Sequence, residues 1–510
     1  MPGELPETVG RLIAAQARER PDAVYFLATG TGRTLTFGEL GESCRRVAAL
    51  VGRLAGAPGA HVSIVMPNGL ATLRIHLGAM AGGYCVNPVN LLSQPDQMRY
   101  VIDHCDSNVV FVSPDRAPKL REILRGIARE IRVVEVDPDA DELPGEDARD
   151  ASFVLPEVAP DALALLMYTS GTTGKPKGVM LTQSNLAANA RNISAEHRLG
   201  PSDRVTAVLP LYHINAFAVT MIAPIAHGGS LAMPPKFSAG RFWELATRDG
   251  CTWLNLVPTM VSYLLEADAP PRGSIAHVRF CRTASAPLPP EHLLAFQSRF
   301  GIGVIETMGL TETVAPAFSN PWEPGKRKVG SVGKPSGCEA RIVDEQGRTL
   351  PDGTPGEIAI RGPQVTPGYY KNPEATAAAF FPDGWFRSGD VGVRDEEGYF
   401  FVTGRIKELI IKGGENIAPR EIDEVLLRHP AVLDAAAVGI PDRHYGQEIM
   451  ACVIRRPGTP CAEEDLRDFC VEHLGPFKTP KVIRFVEELP RGPSGKVQRL
   501  KLLDQAPTAA

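Results

Sequence analysis

The chain has 510 residues, 44% of them hydrophobic and 22% charged, with a formal net charge of -5. That length exceeds a single-core domain, so two or more domains are expected, and the composition carries neither a disordered nor a collagenous bias. A pI near 6.2 leaves no polycationic surface for nucleic acid, which needs clustered lysines and arginines.

The first twenty residues carry acidic side chains and no apolar run, so they do not read as a secretory leader, and the cytoplasm is the expected compartment. Apolar runs at 61–66 and 109–112 then alternate with helix-like stretches at 71–80 and 118–129. That alternation signals βαβ units and a parallel or mixed sheet covered by helices. The acidic segment 137–150, with its proline and glycine, reads as a surface loop. The longest apolar stretch, Ala216 to Ala226, falls short of the ~20 residues of a membrane-spanning helix and reads as a core helix, so no integral membrane segment is expected. From Val332 onward short strands such as 340–343 and 356–360 are separated by glycine and proline turns, which marks a β-rich subdomain. After Gly404 the texture changes again: a Gly413-Gly414 turn precedes a helix opened by Pro419 and Glu421, and the remainder reads as a small α+β domain. Nine scattered cysteines without a C-x-x-C pair read as thiols of a reducing compartment rather than a disulfide framework or zinc site.

The sharpest chemical feature follows the apolar run 163–167. Thr169, Ser170, Gly171, Thr172, Thr173 and Gly174 lead into Lys175 and Lys177. A strand that delivers glycines, hydroxyls and lysines in this density surrounds one point with N–H groups and positive charge, which suits a polyphosphate. Pro176 after Lys175 excludes a Walker A loop. Four more segments follow in order: Gly309-Leu310-Thr311-Glu312-Thr313, the run 384–390 ending in Asp390, Gly404-Arg405-Ile406-Lys407-Glu408, and 493–499 with Lys496.

Together these segments resemble the adenylate-forming superfamily of acyl-CoA synthetases, firefly-type luciferases and peptide-synthetase adenylation domains. The resemblance implies a large N-terminal domain of stacked α/β layers (1–403, with 331–403 β-rich) and a mobile α+β lid (404–510) turning about Lys407. It implies ATP, Mg²⁺ and coenzyme A as cofactors, a small carboxylic acid as substrate, and a monomer or homodimer. Lys496 matches the catalytic lysine that bridges carboxylate and α-phosphate, where two anions must be neutralised. Thr311 is the expected α-phosphate donor and Glu312 the magnesium ligand, a hard oxygen for a hard cation. Asp390 and Arg405 are placed at the ribose and phosphates. Ser285, Ala286 and Pro287 resemble one adenine wall, and Thr307, Met308 and Gly309 the other, with Met308 where most relatives carry tyrosine. Lys412, Gly413 and Gly414 fall in the loop past which pantetheine runs.

The acyl pocket implied by the resemblance is lined by His213 and Asn215, by Arg282, Thr283 and Ala284, and by the residues before Gly309. No aspartate stands at 211–215 to pair an ammonium, so α-amino acids are disfavoured. His213 matches a pocket gate of CoA ligases; a core histidine is the other reading. The C-terminal half is most similar to oxalate-type ligases of small polar acids. Two readings of Arg282 stand: a distal anion site for a carboxylate or sulfonate, or a structural arginine. Ala315 and Thr307 replace residues of the oxalate and malonate types, leaving sulfoacetate-like acids and short to medium fatty acids open. An acyl-AMP ligase loading a carrier protein and a non-catalytic ligand-binding relative are the rival functions.

Overall fold

The computed structural model describes residues 7–169, 175–491 and 497–505. Among them the strands form four sheets. A seven-stranded sheet runs Gly368–Tyr369, Lys177–Thr182, Leu163–Thr169, Cys85–Pro88, His61–Val65, Val109–Val112 and Arg132–Glu135. Its strands from Cys85–Pro88 to Arg132–Glu135 are mutually parallel, as the βαβ pattern predicts. A nine-stranded sheet has Phe280–Thr283 between Trp253–Leu256 and Val304–Met308, all parallel. Both faces of such strands are covered, so Trp253–Leu256 and Phe280–Thr283 are buried at every position. One continuous apolar core links these two sheets through the helices Phe37–Ala55 and Leu70–Ala81 and reaches Phe217 and Phe296.

Three expectations are refined. The helix foreseen over 118–129 is Ala117–Leu124, with Gly126 just beyond its end. The apolar stretch at 216–226 is a wholly buried π-helical segment, Asn215–Ile222, continued by Ala223–His227. The acidic segment 137–150 is more than a surface loop: Leu143 is buried, and Glu146 sits under it with Arg74 and Arg46. Its charge is held by partners composition cannot show.

The β-rich region is an antiparallel sheet of Glu339–Val343, Gly356–Arg361, Phe386–Arg394 and Phe400–Arg405. Beyond it, Gly446–Arg455 pairs with Val432–Asp442 and Val482–Phe485, with the hairpin Ile410–Lys412 and Glu415–Ile417 at the edge. These strands and the helices Pro419–Arg428 and Glu463–Lys478 share a separate core around Ile422, Leu426, Ile449 and Leu466. No described helix is long and apolar enough to cross a membrane.

Candidate active site

The glycine-rich segment hangs from an antiparallel pair whose last matched residues are Thr169 and Lys177. Ser170, Gly171, Thr172, Thr173 and Gly174 lie outside the described residues, as does Lys496. The stems are braced from the side. The Tyr168 hydroxyl meets His104 Nδ1 at 2.7 Å, His104 stacks on Tyr100, and the Lys175 ammonium lies 5.6 Å from the Tyr100 ring centroid.

Lys177 stands 5.0 Å from the ring centroid of Tyr369, and the Tyr369 hydroxyl donates to Glu312 Oε1 at 2.9 Å. Burial, and after it the Glu312 charge, holds the Tyr369 phenol well above its ordinary pKa, so it stays a donor. Tyr369 reaches this position because Gly368–Tyr369 pairs with Lys177–Thr182, matching Tyr369 to Val179. Thr311 and Glu312 occupy a short 3₁₀ turn with Thr313. The turn is fastened from beneath by the helix Gln183–Glu196, whose buried Asn189 donates to the carbonyls of Thr313 and Pro316 at 2.9 and 3.0 Å. Gly309 precedes the turn because a Cβ there would lie 2.7 Å from Ala315 Cα and 2.8 Å from Pro316 Cα. Met308 packs on the core around Phe318 and Phe400, so its thioether backs the turn from the sheet side.

Asp390 and Arg405 are matched partners on adjacent antiparallel strands, with Arg405 Nε 2.7 Å from Asp390 Oδ1. Burial works against the Arg405 charge, but Asp390, Glu408 and Glu312 outweigh it and hold its pKa above the ordinary value. Glu312, Asp390 and Arg405 therefore share one electrostatic neighbourhood.

Arg282 lies in the middle of the nine-stranded sheet and is 0% exposed. Its Nη1 donates to Asn215 Oδ1 and Asn255 Oδ1, each at 2.7 Å, and Asn215 Nδ2 donates to Ser285 Oγ at 3.1 Å. Nε and Nη2 of Arg282 have no partner among the described residues. Burial pulls the guanidinium down to about 9, which leaves it charged at neutral pH. Ser285 is exposed at a left-handed φ of 76°, where a non-glycine residue stores strain. The chain Arg282–Asn215–Ser285 thus runs from the sheet interior to the rim carrying Ala286 and Pro287. Ala284 and Thr283 are buried behind that rim, and the Thr307 hydroxyl donates to the Thr283 carbonyl at 3.3 Å. His213 is half-buried, its ring edge-on to Tyr212.

Gly413 and Gly414 are exposed, at φ of 58° and 87°. Lys412 differs: it is buried, with Nζ 2.5 Å from Glu448 Oε1.

Residues 13–370 match the model of the AMP-binding enzyme family. The chain belongs to that family. In this AMP-binding enzyme residues 421–496 also match the family's C-terminal domain. A sulfoacetate–CoA ligase of Cupriavidus necator is 56% identical over 505 residues, covering 99% of each chain. An oxalate–CoA ligase of Arabidopsis thaliana is 36% identical over 504 residues, covering 97% of each. The crystal structure of ATP-bound MatB from Rhodopseudomonas palustris superposes with a TM-score of 0.89 at 30% identity, covering 98% of this chain and 99% of that one. The layered α/β fold expected from the motifs is the fold of these enzymes. Sequence reading missed Tyr369, Asn189, His104 and Tyr100. Tyr369 and Asn189 lie far along the chain from their partners, and His104 and Tyr100, though one helical turn apart, reach Tyr168 and Lys175 only across the fold, so none carries a local signature of its contact.

Proposed function

We propose that this AMP-binding enzyme activates sulfoacetate, with the sulfonate received by the unpaired edge of Arg282. The reaction class is that of an AMP-forming acid–CoA ligase: acid and ATP give acyl-AMP and pyrophosphate, then acyl-AMP and CoA give acyl-CoA and AMP. The single observation that carries the substrate reading is a fully buried arginine whose Nε and Nη2 lack hydrogen-bond partners among the described residues while its Nη1 meets only amide oxygens. A buried guanidinium without a carboxylate calls for an anion from outside. Nε and Nη2 are the two parallel donors of bidentate recognition. A sulfonate remains ionised at any working pH, and the relative from Cupriavidus necator named for sulfoacetate shares over half of its residues with this chain.

In this reading Glu312 supplies the magnesium ligand. The Tyr369 hydroxyl fixes one carboxylate oxygen, and no described cluster of three His, Cys, Asp or Glu side chains forms a metal cage. That donor set fits magnesium, which is usually held by one or two carboxylates plus substrate phosphates. Lys177 and the glycine-rich segment bind phosphates, Thr311 donates to the α-phosphate, and Asp390 accepts from the ribose with Arg405 beside it. Lys496 bridges carboxylate and α-phosphate, and His213 borders the acyl pocket. Magnesium, when bound, neutralises phosphate charge; the chain's own part is to hold carboxylate and phosphate in line and exclude water. The boundary after residue 403, the β-rich segment 331–403 and the hinge at Lys407 belong to this reading, supported by the separate core beyond Ile410. The nine cysteines, all free thiols, support a cytoplasmic setting.

The experiment is pyrophosphate release with ATP and Mg²⁺ across acetate, butyrate, octanoate, benzoate, oxalate, malonate and sulfoacetate, with and without CoA. Sulfoacetate with the highest kcat/KM and acyl-CoA as product is the expected result. Preference for a monoanionic acid sinks the assignment of Arg282.

A further inference from the structure

The exposed turn Gly413-Gly414 closes a hairpin of two three-residue strands, Ile410–Lys412 and Glu415–Ile417. So small a hairpin is marginal on its own. Among the described residues it joins the neighbouring strand through one matched pair, Lys412 with Gly446. The side chain of Lys412 supplies what that pairing lacks. It is 6% exposed and turned inward, with Nζ 2.5 Å from Glu448 Oε1 and donating to the Phe477 carbonyl at 2.8 Å. The rings of Phe477 and Tyr445 enclose it, with centroids 4.9 and 5.5 Å away. Glu448 is itself 4% exposed and lies on the strand Gly446–Arg455. Phe477 lies just past Gly475, where the helix Glu463–Lys478 is broken by a φ of 73°, and this break turns the Phe477 carbonyl toward the ammonium. The turn is also seated directly: the Gly413 N–H donates to the Tyr445 carbonyl at 2.8 Å, and a Cβ on Gly413 would lie 3.1 Å from Tyr445 Cδ1.

An ammonium enclosed by a carboxylate, a backbone carbonyl and two rings is not available to a nucleotide phosphate without breaking all of these. We propose that Lys412 and Glu448 are positioning residues for the thioester half-reaction: the buried pair sets the place of the Gly413-Gly414 turn along which the pantetheine arm passes, and Lys412 is no ligand of CoA. This deepens the ligase reading and rests on it.

The test separates the two half-reactions. Full-length Lys412→Met and the double variant Lys412→Met/Glu448→Leu are assayed with ATP, Mg²⁺ and sulfoacetate, first for pyrophosphate release without CoA, then for acyl-CoA formation after CoA is added. Lys412→Met leaves a buried carboxylate unpaired, so acyl transfer falls by about tenfold or more while adenylation stays within about twofold. The double variant exchanges the pair for apolar side chains of similar bulk, and acyl transfer returns to within about threefold of the wild type. A folded double variant as slow as Lys412→Met, with a raised KM for CoA, overturns the proposal by making the charge itself a CoA ligand. Undiminished transfer in Lys412→Met overturns it too. Should Lys412→Met fail to fold, the double variant decides alone, and a double variant that also fails overturns the claim that the pair serves only to position the turn. Wild-type protein that releases pyrophosphate but makes no acyl-CoA overturns the ligase reading, and the proposal with it, independently of any variant.

Discussion

Replacing Arg282 by methionine keeps most of the side-chain volume and removes the charge from the middle of the nine-stranded sheet. Nη1 is already committed to Asn215 and Asn255, so a bound sulfonate gains the two donors Nε and Nη2. A hydrogen bond to a charged group contributes about 1.5–3 kcal/mol, and truncating one partner of a buried charge pair costs about 2–5 kcal/mol. Taking about 3 kcal/mol, at about 1.4 kcal/mol per tenfold, kcat/KM for sulfoacetate falls on the order of 100-fold. Acetate, which has no distal anion, changes by less than about threefold on the same grounds. Arg282→Met removes a buried charge that has no carboxylate partner among the described residues, but it also takes the donor from Asn215 Oδ1 and Asn255 Oδ1, so the two effects oppose each other and the melting temperature moves little. The assay is initial-rate pyrophosphate release against both acids, with thermal denaturation alongside. Equal losses for the two acids, or sulfoacetate kinetics within about threefold of the wild type, refute the placement of the sulfonate.

Tyr369→Phe keeps the ring under Lys177 and deletes the hydroxyl that holds Glu312; adenylation falls by about 10-fold or more, with the magnesium dependence displaced to higher concentration, read by pyrophosphate release in a Mg²⁺ titration. Asn189→Ala strips the carbonyls of Thr313 and Pro316 of their buried donor and lowers stability by about 1–3 kcal/mol in urea denaturation. Glu306, buried on the strand Val304–Met308, is raised by burial to about 7, with Arg420 and backbone groups of Gly330 and Leu288 opposing. Its folded pKa lies above its unfolded one, so its contribution is present below about pH 4.5 and lost as pH rises through about 7, roughly 3 kcal/mol in all. Glu306→Gln abolishes that slope: the variant gains thermal stability over the wild type at pH 8 and gains nothing at pH 4.5.

The order of the motifs, the βαβ rhythm of the first part and the change to short strands near Val332 were legible because each is local, written in runs and turn residues a few positions apart. Helix Gln183–Glu196 shows where legibility stops. That its Asn189 grips the turn carrying Glu312 depends on two segments more than a hundred residues apart meeting face to face. Lys412 is a sharper case. Beside two glycines it reads as a cation in the loop past which pantetheine runs, and its contacts with Glu448 and the Phe477 carbonyl, more than thirty residues away, carry no local signature. Arg282 stood between two readings for a related reason: a strand sequence states that a residue alternates to one face and is silent about what the opposite layer leaves unpaired.

Tyr369 touches Lys177 with its face and Glu312 with its hydroxyl, and is itself registered on the strand that bears Lys177. One aromatic side chain therefore works as a gauge block between a fixed cation and a fixed anion. The ring and its hydroxyl thereby set the separation of the two charges across two different elements. A polyphosphate with its counter-ion presents the same alternation of sign, so a change at this one ring would disturb both charges at once.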